Sequence, residues 1–185
     1  MTNQLRNVRF LASIPRRSFA LVVIVLALLA CKKAEFKPLT SQEGGFAVEM
    51  PGEPKQETKA TETAAGPIQF HMFSVEMSSG SVAYIVSYND YPRALVAFGT
   101  PDSLLDGVVE GAVGKGRSVK SQRNVALAGH PGREFTAVLA SGHEYASRVF
   151  LVKERLYQLN VVSDPGKVDE QDKLRFFDSF KLLPR

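Results

Sequence analysis

The chain has one cysteine, no tryptophan and three histidines in 185 residues. A single cysteine excludes an internal disulfide and any metal centre built on cysteine pairs. His71, His130 and His143 show neither H-x-x-x-H nor H-E-x-x-H spacing. Separate strand or surface histidines are therefore expected, with a metal cluster around Glu76 or Glu144 as the alternative. The G-x-S-x-G elbow of a serine hydrolase is absent, and Ser78-Ser79-Gly80-Ser81 reads as a hairpin turn. Gly111-Ala112-Val113-Gly114-Lys115-Gly116 has the residues of a phosphate loop, but it closes a helix instead of opening one, so the N–H cradle is missing. Nothing calls for a cofactor. Acidic residues are missing from the first thirty positions, and no apolar run reaches the roughly 20 residues of a free membrane span.

What those thirty positions do hold is Arg6, Arg9, Arg16 and Arg17, then the purely apolar Phe19–Ala30, then Leu28-Leu29-Ala30-Cys31 followed by Lys32-Lys33. A basic segment before a short apolar one is the pattern of a signal peptide. Small or aliphatic residues before a cysteine resemble a bacterial lipobox, with Leu29 bulkier than the usual residue there. The resemblance implies that Cys31 takes a diacylglyceryl group, that the bond before it is cut, and that Cys31 becomes the acylated N-terminus. Thiolate nucleophilicity is why the position must be cysteine, and two or more acyl chains anchor stably where one does not. The partner implied is membrane lipid. In a cell with two membranes, Lys32 resembles an outer-membrane sorting pattern, which implies the periplasmic side of that membrane. An uncleaved anchor with a structural Cys31 is the alternative. Arg16-Arg17-Ser18-Phe19 also resembles a twin-arginine motif, although the strongly apolar run favours the general secretory route.

The formal charge of +4 suggests a nucleic-acid binder, but the leader accounts for all of it. Four of the 23 Lys+Arg and none of the 19 Asp+Glu lie there, leaving 19 of each from Cys31 onward. Without an electrostatic footprint, no nucleic-acid partner is expected. The organisation predicted is a signal peptide over 1–30, a lipidated tether over 31–44 and one domain over 45–185, read as a monomer. A first strand docked through Phe36 and Leu39 is the alternative for the tether.

Alternation in Gly45–Met50 predicts a half-buried strand. Lys55–Thr63 is polar and threonine-rich, an edge-strand candidate. In Ile68–Met77 the apolar residues change phase, which predicts either a bulge or a strand covered on both faces. Ser81–Tyr91 is rich in β-branched and aromatic residues. Pro92–Gly99 reads as a loop. Thr100-Pro101-Asp102 then has N-cap, first-turn proline and acid in order, and Leu104, Leu105, Val108, Val109 and Ala112 give a helical face to about Lys115. The second half reads as an amphipathic Arg117–Leu127, a turn at Gly129-His130-Pro131-Gly132, and strands over Arg133–Ala140, His143–Val152 and Arg155–Ser163. A closing helix is predicted over Val168–Leu182, with a stripe of Leu174, Phe177 and Phe180 or Leu182. Short links make the later strands an antiparallel meander. The fold class is α+β: a mainly antiparallel sheet flanked by two helices.

Several phrases carry a resemblance. They are Gly45-Phe46-Ala47-Val48-Glu49-Met50-Pro51-Gly52-Glu53-Pro54, Leu127-Ala128-Gly129-His130-Pro131-Gly132-Arg133-Glu134-Phe135, Arg148-Val149-Phe150-Leu151-Val152 with Arg155-Leu156-Tyr157-Gln158-Leu159, and Phe176-Phe177-Asp178-Ser179-Phe180-Lys181-Leu182. Together with the element order they resemble the PsbP-like α/β/α sandwich, shared by the extrinsic photosystem II protein PsbP and the Ran-binding protein Mog, over about residues 43 to 183. The resemblance implies a binding or assembly domain of unassigned function, not an enzyme; no motif matches the manganese-cluster role or the Ran surface.

His130, Arg133 and Glu134 form the most distinctive candidate site, a surface knuckle fixed by Pro131 and offered to a partner or anion. The alternative is a plain β-turn whose charges pair with neighbours. Asp90-Tyr91-Pro92-Arg93 with Tyr145 is a second candidate, a ligand groove, against buried tyrosines with partnered hydroxyls. The functional reading is a lipoprotein with a non-catalytic binding or scaffolding domain at the cell envelope. The alternative is an envelope hydrolase with a dispersed site built from His130, His143 and carboxylates.

Overall fold

The computed structural model of the protein describes residues 34–63, 66–114 and 119–184. The expected signal peptide over 1–30 and the Leu28–Cys31 motif lie outside the described residues. The strands are β1 (Lys37–Ser41), β2 (Phe46–Met50), β3 (Lys55–Thr63), β4 (Gly66–Met77), β5 (Val82–Asp90), β6 (Ser121–Leu127), β7 (His130–Val138), β8 (Glu144–Val152), β9 (Arg155–Ser163) and β10 (Lys181–Leu182). The helices are α1 (Arg93–Phe98), α2 (Pro101–Val113) and α3 (Glu170–Asp178). The fold class is α+β with antiparallel sheets, as the sequence predicts.

Seven strands form one sheet in the order β3-β4-β5-β9-β8-β7-β6. The meander β6 to β9 is contiguous, and β9 pairs with β5 to join the two halves. The phase change in β4 resolves as double coverage. Its register with β3 and with β5 is unbroken, and Ile68, Phe73 and Val75 are all buried. A smaller sheet, β1-β2-β10, lies with α3 over one face of the large sheet, and α2 covers the other.

Two cores result. On the first face, Phe46 is fully buried and meets the rings of Phe73, Tyr88, Tyr157 and Phe180 at centroid distances of 5.4 to 6.1 Å. Phe180 is stacked and the other three rings meet Phe46 edge to face, and both geometries at that spacing add to the area buried. On the second face, Leu105, Val109 and Val113 of α2 pack on Phe135, Ala137, Tyr145, Val149 and Leu151. Thr100 caps α2, accepting the Ser103 N–H, with Pro101 in the first turn.

Four expectations are corrected. Lys37–Ser41, placed in the tether with a docked first strand as the alternative, is that strand: it pairs with β2, Leu39 packs on the first core, and the Arg175 guanidinium lies 4.4 Å over the Phe36 ring. Pro92–Gly99, read as a loop, holds α1, too short for a periodic signature and with no buried residue. The turn expected at Gly129–Gly132 is the two-residue Ala128-Gly129, both with positive φ (49° and 83°), so His130 to Glu134 are strand residues. The last helix ends at Asp178 instead of Leu182. The Ser179 hydroxyl donates to the Phe176 carbonyl and accepts the Glu49 N–H, each at 2.9 Å, and the chain leaves as β10. The stripe is Phe176, Phe177 and Phe180, and Leu174 points outward.

Candidate functional site

Strand alternation sends Arg133 and Glu134 to opposite faces of the sheet. Arg133 is 5% exposed and forks onto α2, with Nε 2.9 Å from Asp106 Oδ1 and Nη2 2.7 Å from Asp102 Oδ1. Burial works against its charge, but the two aspartates outweigh that and hold the guanidinium protonated. Glu134 accepts from Arg123 Nη2 at 2.7 Å and from Arg148 Nε at 2.6 Å, and Arg148 continues to Asp178 at 2.8 Å. Burial raises the Glu134 pKa, yet the two arginines together hold it below the ordinary carboxylate range. Both side chains are committed within the domain. His130, half-buried, opens β7. The structure does not gather the three into one presented surface.

The histidines also stand apart. His71 is on β4 and stacks on Tyr88 with centroids 4.5 Å apart. Three strands separate β4 from β7, which is about 19 Å of sheet. His130 and His143 lie at opposite ends of the β7 hairpin, about 30 Å apart along a strand. His143 meets Ser141 Oγ through Nδ1 at 2.7 Å and Asp164 Oδ1 through Nε2 at 3.4 Å, on an exposed turn.

Asp90, Tyr91 and Arg93 line a crevice of about 260 Å³ with Lys153, Glu154 and Arg155. Burial pushes the Tyr91 hydroxyl up. Arg155 grips Asp90 through two nitrogens at 2.6 and 2.7 Å and caps the Glu43 and Gly44 carbonyls, so this polar end is a clasp between the two sheets. Tyr145 is elsewhere, its hydroxyl donating to Asn160 Oδ1 at 2.7 Å.

A recess of about 200 Å³ opens where the β7–β8 hairpin meets the β9–α3 connection. Its floor holds Ala146, Val161 and Val168, and its rim carries Lys120, Glu144, Glu170 and Lys173. Lys120 Nζ stands 3.8 Å from Glu144 Oε1, while the Gly166 N–H donates to Glu144 Oε2 at 3.1 Å. Lys173 Nζ meets Glu170 at 2.6 Å. The rim comes from three distant segments, so spacing along the chain carried no signal for it. Only Glu144 stood out, as a neighbour of a histidine.

No family model matches the chain, and no curated protein matches it. Among solved structures, it is similar to cyanobacterial PsbP (CyanoP) from Synechocystis sp. PCC 6803, with a TM-score of 0.51 and 11% identity over 83% of this chain and 95% of that one. A protein of unknown function from Pseudomonas aeruginosa, PA94, aligns with a TM-score of 0.39 and 8% identity over 82% of this chain and 98% of that one. The likeness to CyanoP is one of fold: the protein has a PsbP-like α+β fold.

Proposed function

We propose that this chain is a lipoprotein of the bacterial cell envelope whose domain binds or scaffolds and does not catalyse. The observation that carries the anchor is Leu28-Leu29-Ala30-Cys31 behind an apolar run, with the single cysteine of the chain at the position where acylation requires one. Support for a binding domain comes from the dispersal of the three histidines over the sheet, and from a PsbP-like fold whose charged residues hold its layers together. With two membranes, the anchor sits on the periplasmic side of the outer one.

Intact mass of the wild type and of Cys31→Ser from a bacterial membrane fraction tests this. The expected wild type starts at Cys31 with added acyl mass, and the variant lacks it. An unmodified chain that keeps Met1 overturns the anchor.

The Ser141–His143–Asp164 contacts favour a second reading, hydrolysis at that turn. Each group there is open to water, which weakens the electrostatic stabilisation that hydrolysis relies on. Turnover of p-nitrophenyl acetate above buffer, lost in Ser141→Ala, would establish the hydrolase and remove the binding reading.

A further inference from the structure

We infer that the recess between the β7–β8 hairpin and α3 binds a small zwitterion, a ligand that carries an ammonium group and a carboxylate together. This deepens the binding reading above and rests on it. Two lysines and two glutamates face a cavity of about 200 Å³, so the rim has no net charge and presents both signs within one small volume. A monoanion or a monocation gains from one pair of side chains and is repelled by the other. A zwitterion satisfies both and adds no charge to the site.

The free valences agree. Lys120 and Glu144 Oε1 stand 3.8 Å apart, beyond hydrogen-bond length, which leaves an acceptor and a donor set facing each other. Lys173 meets both oxygens of Glu170, at 2.8 and 2.6 Å, which leaves one of its three N–H donors to spare. Ser163, 3% exposed, lines the recess with these residues. The volume suits an amino acid or the end of a short peptide. The alanine and valine floor suits an aliphatic side chain, and the carboxylates on the rim oppose a phosphate.

Calorimetric titration of the full chain in detergent, with four probes, tests the inference. L-alanine and L-alanyl-L-alanine carry both charges, N-acetyl-L-alanine lacks the ammonium, and L-alaninamide lacks the carboxylate. Saturable millimolar binding of a zwitterion is expected, at least tenfold weaker for both blocked probes. L-alanine alone would identify free amino acids, and binding of the dipeptide as well would identify peptide ends. Glu144→Gln and Lys173→Gln should each weaken binding at least tenfold with an unchanged thermal midpoint. No binding of either zwitterion, or equal binding of the blocked probes, overturns the inference. The intact mass of the same wild-type preparation separates the two readings: binding by a wild type that carries no acyl mass removes the anchor and keeps the recess, and acyl mass without binding does the reverse.

Discussion

At residue scale, two neighbours on β7 show how the same letters serve different physics. Gly132 follows Pro131 and has the composition of a turn, yet it lies inside the sheet. A Cβ there would fall 2.3 Å from the Val149 carbonyl oxygen and 2.6 Å from the Phe150 ring. The obstacle on one side is backbone and cannot move aside, so Gly132→Ala should destabilise the domain by about 3 kcal/mol, read as the shift of a urea unfolding curve. Glu134 makes a pH-dependent contribution. Its folded pKa lies below the unfolded value, so its stabilisation is complete above the ordinary glutamate range and is lost as pH falls through the folded value. Urea midpoints for wild type and Glu134→Gln should therefore differ most near neutral pH and converge only once the pH has fallen well below the ordinary glutamate range. A constant gap down to strong acid would show that the carboxylate is not the source. That Arg133 and Glu134 pair with neighbours was the alternative legible in sequence, but the partners themselves, Asp102, Asp106, Arg123 and Arg148, were not, because sheet register and helix placement set them.

Elements with a strong period were legible, and those held by tertiary contacts were not. β5, β8 and β9 announce themselves through β-branched and aromatic content, and α2 through its cap, its proline and its apolar face. β1 is weaker: KPLTS is polar, and the docking that Phe36 and Leu39 suggest depends on the surface that β2 and α3 supply. β10 is two residues long and exists because Ser179 turns the chain. The contrast between α1 and α2 makes this measurable. Phe98 at the end of α1 is 93% exposed, whereas Leu105 in α2 is fully buried. Phe98→Ser should change stability by less than about 0.5 kcal/mol, while Leu105→Ala should cost about 3 kcal/mol, both by chemical denaturation. A large loss on changing Phe98 would mean that α1 is held by packing.

For the whole molecule, the placement of β1 alters what an anchor at Cys31 would do. A tether running to Gly44 has a maximum span of about 45 Å, whereas a chain that joins the domain at Lys37 leaves a span of about 20 Å. Under the lipoprotein reading, the folded domain is then confined to the layer next to the bilayer, and a partner it engages must reach into that layer. The net neutrality of the chain from Cys31 onward gives no long-range pull toward a charged surface, so the tether alone sets this height. A Gly/Ser insert of about 15 residues between Lys33 and Ala34 adds roughly 20 Å of mean reach and touches no described strand. It should leave the unfolding curve of the domain unchanged and should reduce in-cell crosslinking to neighbours resident in the membrane. Undiminished crosslinking would show that a protein contact, not the short tether, holds the domain at its station.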